Sequence, residues 1–187
     1  MAVPAEMTIL NLSGKFIMNK PLCDPHDEIF RLQGMGWLKR KAISIATITL
    51  KVNHLTDADG LENVNVDQTL TGGIPASSER RPLDWTERQI ADPNFGHVVE
   101  KMRRIRLDEL ENEFLKKGWE QDTQENGVLH LWIKSDTPKS GTTWYGDQVW
   151  GIEEINGERR YTRHVHFIGP KEEMIDARIV FDYVGSL

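Results

Sequence analysis

Hydrophobic and polar residues alternate along most of this chain. Residues 46–55 place Ile48, Leu50 and Val52 on one face and Thr47, Thr49 and Lys51 on the other, the period of a half-buried strand. Thr56-Asp57-Ala58-Asp59-Gly60 supplies turn chemistry, and residues 61–71 resume the alternation with Val64, Val66, Gln68 and Leu70 together. Gly72 and Gly73 interrupt the pattern before a segment at 79–89. Further strands are predicted at 98–107, 127–136, 142–155, 158–169 and 174–184. Asn156-Gly157 between two of them is the strongest hairpin signal in the chain.

Helical spacing is confined to short stretches. Asp24-Pro25 caps and opens a first helix with Ile29, Phe30 and Leu32 toward its buried side; Gly34 or Gly36 ends it, and residues 37–45 form a second. A third, over 108–118, puts Leu110, Phe114 and Leu115 at helical spacing and stops at Gly118. No repeat or interdomain linker divides the sequence, so one domain over 1–187 is expected. It should be an all-β antiparallel barrel of about ten strands, with lid helices at 24–45 and an inserted helix at 108–118.

Several short motifs fall in a familiar order. They are Gly14-Lys15-Phe16, then Gln33-Gly34-Met35-Gly36-Trp37-Leu38-Lys39-Arg40-Lys41, then Gln68-Thr69-Leu70 and Leu83-Asp84-Trp85-Thr86-Glu87. Asn156-Gly157-Glu158-Arg159 and Ala177-Arg178-Ile179-Val180-Phe181-Asp182-Tyr183 close the series. Together they resemble the first strand, lid turn, middle strands and last hairpin of the intracellular fatty-acid-binding proteins, a calycin family. Phe16 stands where that family carries Trp, and the chain is longer, with the excess centred on 108–126. It is also similar to small fungal proteins of this kind, some tied to natural-product pathways. The resemblance implies a closed barrel that holds its ligand inside.

One departure changes the implied chemistry. The family clamps a fatty carboxylate with an inward Arg-x-Tyr on its final strand. Here alternation puts Ile175, Ala177, Ile179, Phe181 and Tyr183 on the apolar face, so Arg178 points outward and Phe181 stands where the clamp arginine would be. A bidentate arginine is hard to replace for a carboxylate, so a free fatty acid is not the favoured ligand.

Composition narrows the setting. With 187 residues and 39% hydrophobic content, one sizeable core is within reach. A net charge of −6 argues against nucleic acid, and the basic run at 101–106 reads as a solvated strand face. Set against the acidic remainder, that run is compatible with a homodimer. Cys23 stands alone, which excludes an internal disulfide and fits a reducing, cytoplasmic compartment. Residues 1–10 lack the apolar core of a secretory signal, and no apolar run approaches a membrane span.

The aromatics carry the leading candidate chemistry. Trp132, Trp144 and Trp150 lie in consecutive strands, and Trp144, Gln148 and Trp150 share a face. With Trp37 and Trp85, and with Phe30, Leu50, Gln68, Phe181 and Tyr183, they form the candidate lining of an apolar pocket. Gln68, Gln148, His130 and Tyr183 are the candidate catalytic hydrogen-bonding groups. His164 and His166 oppose Tyr161, Val165 and Phe167 and read as solvent-facing, and Glu153-Glu154 reads as a solvated strand end. No second ligand pair has convincing metal spacing, so neither metal nor cofactor is expected. Pro138-Lys139-Ser140-Gly141-Thr142-Thr143-Trp144 resembles the phosphate loop of cytosolic sulfotransferases, but it runs into a strand rather than opening a helix. The expected function is a carrier or cofactor-free pathway protein for an apolar or aromatic small molecule. The alternative is a cyclase of Diels–Alder type in fungal secondary metabolism, working in the same cavity by holding reacting ends together.

Overall fold

Alternation along the chain becomes a ten-stranded antiparallel sheet in the computed structural model, which describes residues Met1–Leu187. β1 (Gly14–Met18) leads through a short 3₁₀ turn into α1 (Asp27–Leu32) and α2 (Trp37–Ile45). β2 (Thr49–Thr56), β3 (Glu62–Leu70), β4 (Ile74–Pro82), β5 (Arg88–Asp92) and β6 (Gly96–Ile105) follow. After an inserted segment come β7 (Val128–Ser135), β8 (Tyr145–Ile155), β9 (Glu158–Ile168) and β10 (Met174–Gly185). Sheet neighbours are consecutive in sequence except β1 and β10, whose pairing rolls the meander into a barrel with β4 and β5 as its edges. Asn156 and Gly157 both take positive φ, 55° and 77°, as the tight turn between β8 and β9 requires.

Side chains close what the backbone ladder leaves open. Arg81 on β4 donates two hydrogen bonds, of 3.0 and 2.9 Å, to Glu100 on β6, and both residues are buried. Toward one end of the same gap, Arg104 on β6 pairs with Glu62 on β3. Inward residues such as Phe16, Leu50, Val66, Leu129, Trp150 and Tyr161 fill the main core. Their spacing of two along each strand is the alternation of the sequence made three-dimensional.

Three expectations change. The segment at 79–89 is two elements: β4 ends at Pro82, and Trp85 adopts a φ of 59° before β5 begins. Proline brings no ladder donor, and a left-handed residue turns the chain out of the sheet. The helix at 108–118 is replaced by a 3₁₀ turn at Leu107–Glu109 and α3 (Glu113–Lys116), with α4 (Gln121–Asn126) beyond. Asn112 splits it, because its Oδ1 accepts from the N–H groups of Phe114 and Leu115 and so starts a new helix. Asp24 does not cap α1, since its Oδ2 accepts from the Arg178 N–H of β10 at 2.8 Å; α1 begins at Asp27. No helix is long and apolar enough to cross a membrane.

Candidate functional site

A cavity of about 210 Å³ lies inside the barrel beneath the helix pair. Ile29, Phe30 and Met35 border it from the α1–α2 segment, and Trp144, Phe167 and Ile179 border it from the wall. α1 turns Ile29 and Leu32 inward, whereas α2 presents Trp37 and Leu38 to solvent, at 69% and 75% exposure. The lid thus lends the cavity one face of α1, Gln33 and Met35 of the turn, and Ile43 of α2.

The other side of the cavity is charged. Glu79 and Arg81, both on β4, pair with each other, and Glu100 holds the far edge of the Arg81 guanidinium. Burial works to raise the Glu79 carboxyl, but the Arg81 and Arg163 guanidiniums and hydrogen bonds from Arg81 and Ser77 hold it below its usual range. Burial likewise opposes the charge on Arg81, and the two carboxylates overcome it and raise the group.

Arg163, from β9, is arranged differently. Its Nε donates to the Tyr161 hydroxyl at 2.7 Å, and its guanidinium carbon lies 3.8 Å from the centre of the Trp150 ring and 5.4 Å from that of Phe181. Such stacking fixes a guanidinium while leaving its edges free. Its Nη2 is buried without a hydrogen-bond partner. Trp150 in turn donates from Nε1 to Gln148 Oε1 at 2.5 Å, which orients the Gln148 amide at the cavity wall. Burial pushes the Tyr161 phenol up, against the pull of Arg163.

Of the residues singled out in the sequence, Phe30, Gln68, Trp144, Gln148 and Phe181 border the cavity. Leu50 and Trp150 lie in the adjoining core, and Tyr183 packs edge-on against Phe16 at 5.6 Å beside it. Four residues are elsewhere. Trp37 is on the outer face of the lid. Trp132 lies on the outer wall with the Lys101 and Lys134 ammonium groups 4.8 and 5.2 Å from its ring centre, because β7 turns Leu131 and Ile133 inward. Trp85 stacks on His130 outside the barrel at 5.1 Å. His130 itself bonds through Nε2 to Asp147 Oδ1 at 2.7 Å, in an outer polar depression shared with Arg103 and Tyr145.

Arg178 faces outward, as alternation requires, but the inner face is not free of arginine. Arg81 and Arg163 both reach the cavity. The sequence reading missed Arg163, although the alternation of Tyr161, Arg163, Val165 and Phe167 was the signal that could have found it; Glu79, Arg81 and Glu100 carried no such signal, since a charged strand residue ordinarily faces water.

Two outward groups expected in solvent are buried. Glu153 and His164 are 2% and 3% exposed, because the inserted segment covers them. Glu153 Oε2 lies 3.1 Å from His164 Nε2, Trp119 stacks over the imidazole at 4.3 Å, and Arg178 Nη1 approaches the same carboxylate at 3.7 Å. The phosphate-loop resemblance also gives way. Its residues form α5 (Thr137–Ser140), a single turn in the hairpin connection from β7 to β8, and Lys139 bonds Gln89 and Asp136. Antiparallel strands on both sides leave no helix N-terminus of the kind a sulfonate donor's phosphate would use. No cluster of three or more His, Cys, Asp or Glu is placed to hold a metal.

Comparison with known proteins adds two kinds of likeness. No protein-family model matches the chain. The probable pericyclase scpY of Mollisia scopiformis is 31% identical over 187 residues, covering 98% of this chain and 95% of that protein. The pericyclase pydY of an Acremonium species is 28% identical, covering 99% and 98%. Among solved structures, Caenorhabditis elegans lipid binding protein 8 superposes with a TM-score of 0.58 at 13% identity, over 96% of this chain and 100% of that one. A Schistosoma mansoni fatty acid binding protein in complex with arachidonic acid gives 0.54 at 12% identity, over 95% and 99%. The barrel has the fatty-acid-binding-protein fold.

Proposed function

Because the chain belongs to the family of these fungal pericyclases, we propose that it encloses an apolar, unsaturated small molecule in the barrel and catalyses a pericyclic ring closure there. The full-length match to two relatives named for that reaction carries the reading. In such a closure π electrons become σ bonds within one molecule, so the catalyst transfers no group. Its contribution is to hold the reacting ends in an attack geometry and to polarise the π system. The cavity offers apolar walls from Phe30, Trp144 and Phe181 for the first task, and the Gln148 amide and Arg163 for the second.

The natural test starts from the genes that neighbour this one: where they encode a natural-product pathway, that pathway is reconstituted with and without the protein. Without it, a linear precursor should accumulate that has the same mass as the cyclised product, since ring closure is an isomerisation. Identical metabolite profiles would sink the pericyclase reading. A ligand carrier is the second reading, favoured by the lidded barrel it shares with structurally solved binding proteins. A carrier would change the amount or location of a metabolite and leave its ring system unchanged.

A further inference from the structure

Every charged side chain lining the cavity is held by direct contacts to charged or backbone groups except Arg163, which meets the Glu79 carboxylate only through space. Arg81 is occupied by Glu79 and Glu100 in closing the barrel between β4 and β6. Asp92 accepts from the N–H groups of Asn94 and Phe95 at the cavity mouth. Arg163 belongs to β9, which is backbone-paired to β8 and β10 on both sides and needs no side chain to close it. No carboxylate forms an ion pair with it, and its one hydrogen bond is to the neutral Tyr161 hydroxyl.

The unsatisfied groups agree in kind. Two buried polar atoms of cavity-lining residues lack a partner, Arg163 Nη2 and Trp144 Nε1, and both are donors. An occupant that completes this lining supplies acceptors. The lining carries Arg81 and Arg163 against Glu79 and Asp92, with Glu100 behind Arg81. The positive charges are therefore already matched, and an anionic occupant would add an uncompensated buried charge, which is costly.

We propose that the substrate is a neutral polyene bearing a conjugated carbonyl, and that Arg163 is the catalytic residue that receives the carbonyl oxygen. The proposal rests on the cavity being the reaction site. Docking a carbonyl on a stacked, immobile guanidinium draws electron density from the attached double bonds and fixes one end of the chain. The apolar wall beneath the lid then folds the remainder.

Three probes with one carbon skeleton test this by calorimetric titration: methyl farnesoate (neutral conjugated carbonyl), farnesoate (carboxylate) and farnesene (hydrocarbon). Wild-type protein should bind methyl farnesoate about tenfold more tightly than either of the others, the effect of one charge-assisted hydrogen bond. In Arg163→Met, which keeps bulk against Trp150, that advantage over farnesene should vanish while farnesene affinity stays within about twofold. Arg163→Lys should retain part of it. Tightest binding of farnesoate, or an advantage that survives Arg163→Met, overturns the proposal. Equal binding of all three overturns it too and leaves the enclosed-cavity reading standing. Failure of all three to bind removes the cavity reading with it, whereas the pericyclase reading stands or falls on the isobaric precursor above.

Discussion

On the inner face of β9, Arg163 lies on the Trp150 ring beside the cavity; one residue along, on the outer face, His164 lies under Trp119 against Glu153. Both neighbourhoods bury a polar side chain against an indole. Inside, the guanidinium has a void next to it and feels the Glu79 carboxylate only through space, with no carboxylate in direct contact. Outside, imidazole, carboxylate and Arg178 face one another and the insert seals them. Buried charges that answer each other hold elements together. A buried guanidinium whose charge is matched nearby but whose hydrogen-bonding edge is unfilled beside empty space is the better mark of a ligand site.

The largest way to break this comparison is to remove the indole that supports the inner side. Trp150 is fully buried, so Trp150→Ala should lower unfolding free energy by about 3–5 kcal/mol in urea titrations. A loss below about 1 kcal/mol would mean the cavity collapses onto the gap and that the void is not rigidly kept. On the outer side, Glu153→Ala should cost about 1–3 kcal/mol by leaving the buried His164 imidazole without its acceptor. Methyl farnesoate affinity of the folded variant should stay unchanged. If affinity drops in step with stability, the two faces are coupled through the wall and cannot be read separately.

A third test uses a satisfied charge toward the end of the barrel. Burial works to raise Glu62, but hydrogen bonds from His54 and Arg104 hold its carboxyl down to about 2. A depressed carboxylate favours the folded state above its unfolded value, and that contribution fades as pH falls. The stability difference between wild type and Glu62→Gln should therefore shrink as pH is lowered from 4.5 to about 2. A difference that stays constant over that window would show that Glu62 is not held as an ion. Next in size is Trp144→Ala, which removes a ring from the cavity wall and should weaken methyl farnesoate binding by about 1.5–3 kcal/mol. Unchanged affinity would place the ligand away from the lid.

The fold was legible because it rests on local signals: period-two alternation, the Asn156-Gly157 turn and the early helix pair. Aromatic type alone did not sort inside from outside. Trp144 and Trp132 look equivalent as residues, but β7 presents Leu131 and Ile133 inward and so turns Trp132 out. Register decides this, and a one-residue shift in register exchanges the faces. The inner charges were hidden for another reason. Glu100 follows Val98 and Val99 in a strand whose neighbours Lys101 and Arg103 face out, and its inward side chain makes sense only once Arg81 stands across the gap. Contacts between residues distant in the chain carry no periodic signature. The burial of Glu153 and His164 depends on Trp119 and Phe114 folding back over the wall, which is likewise non-local.

The smallest expected effect gives the sharpest control. Trp132 sits on the outer wall with Lys101 and Lys134 flanking its ring, so Trp132→Ala forfeits two exposed cation–π contacts of about 0.5–1 kcal/mol each. No atom of it borders the cavity, and its neighbours Leu131 and Ile133 keep their inward positions. Affinity for methyl farnesoate should stay within about twofold of wild type, even where the unfolding midpoint falls slightly. Trp144→Ala, a substitution of the same size in the same β7–β8 hairpin, should differ from it by at least about fivefold in binding. If instead Trp132→Ala is the variant that loses ligand, then the face of β7 assigned to solvent is the face that binds, and the inward register of Arg163 falls with it.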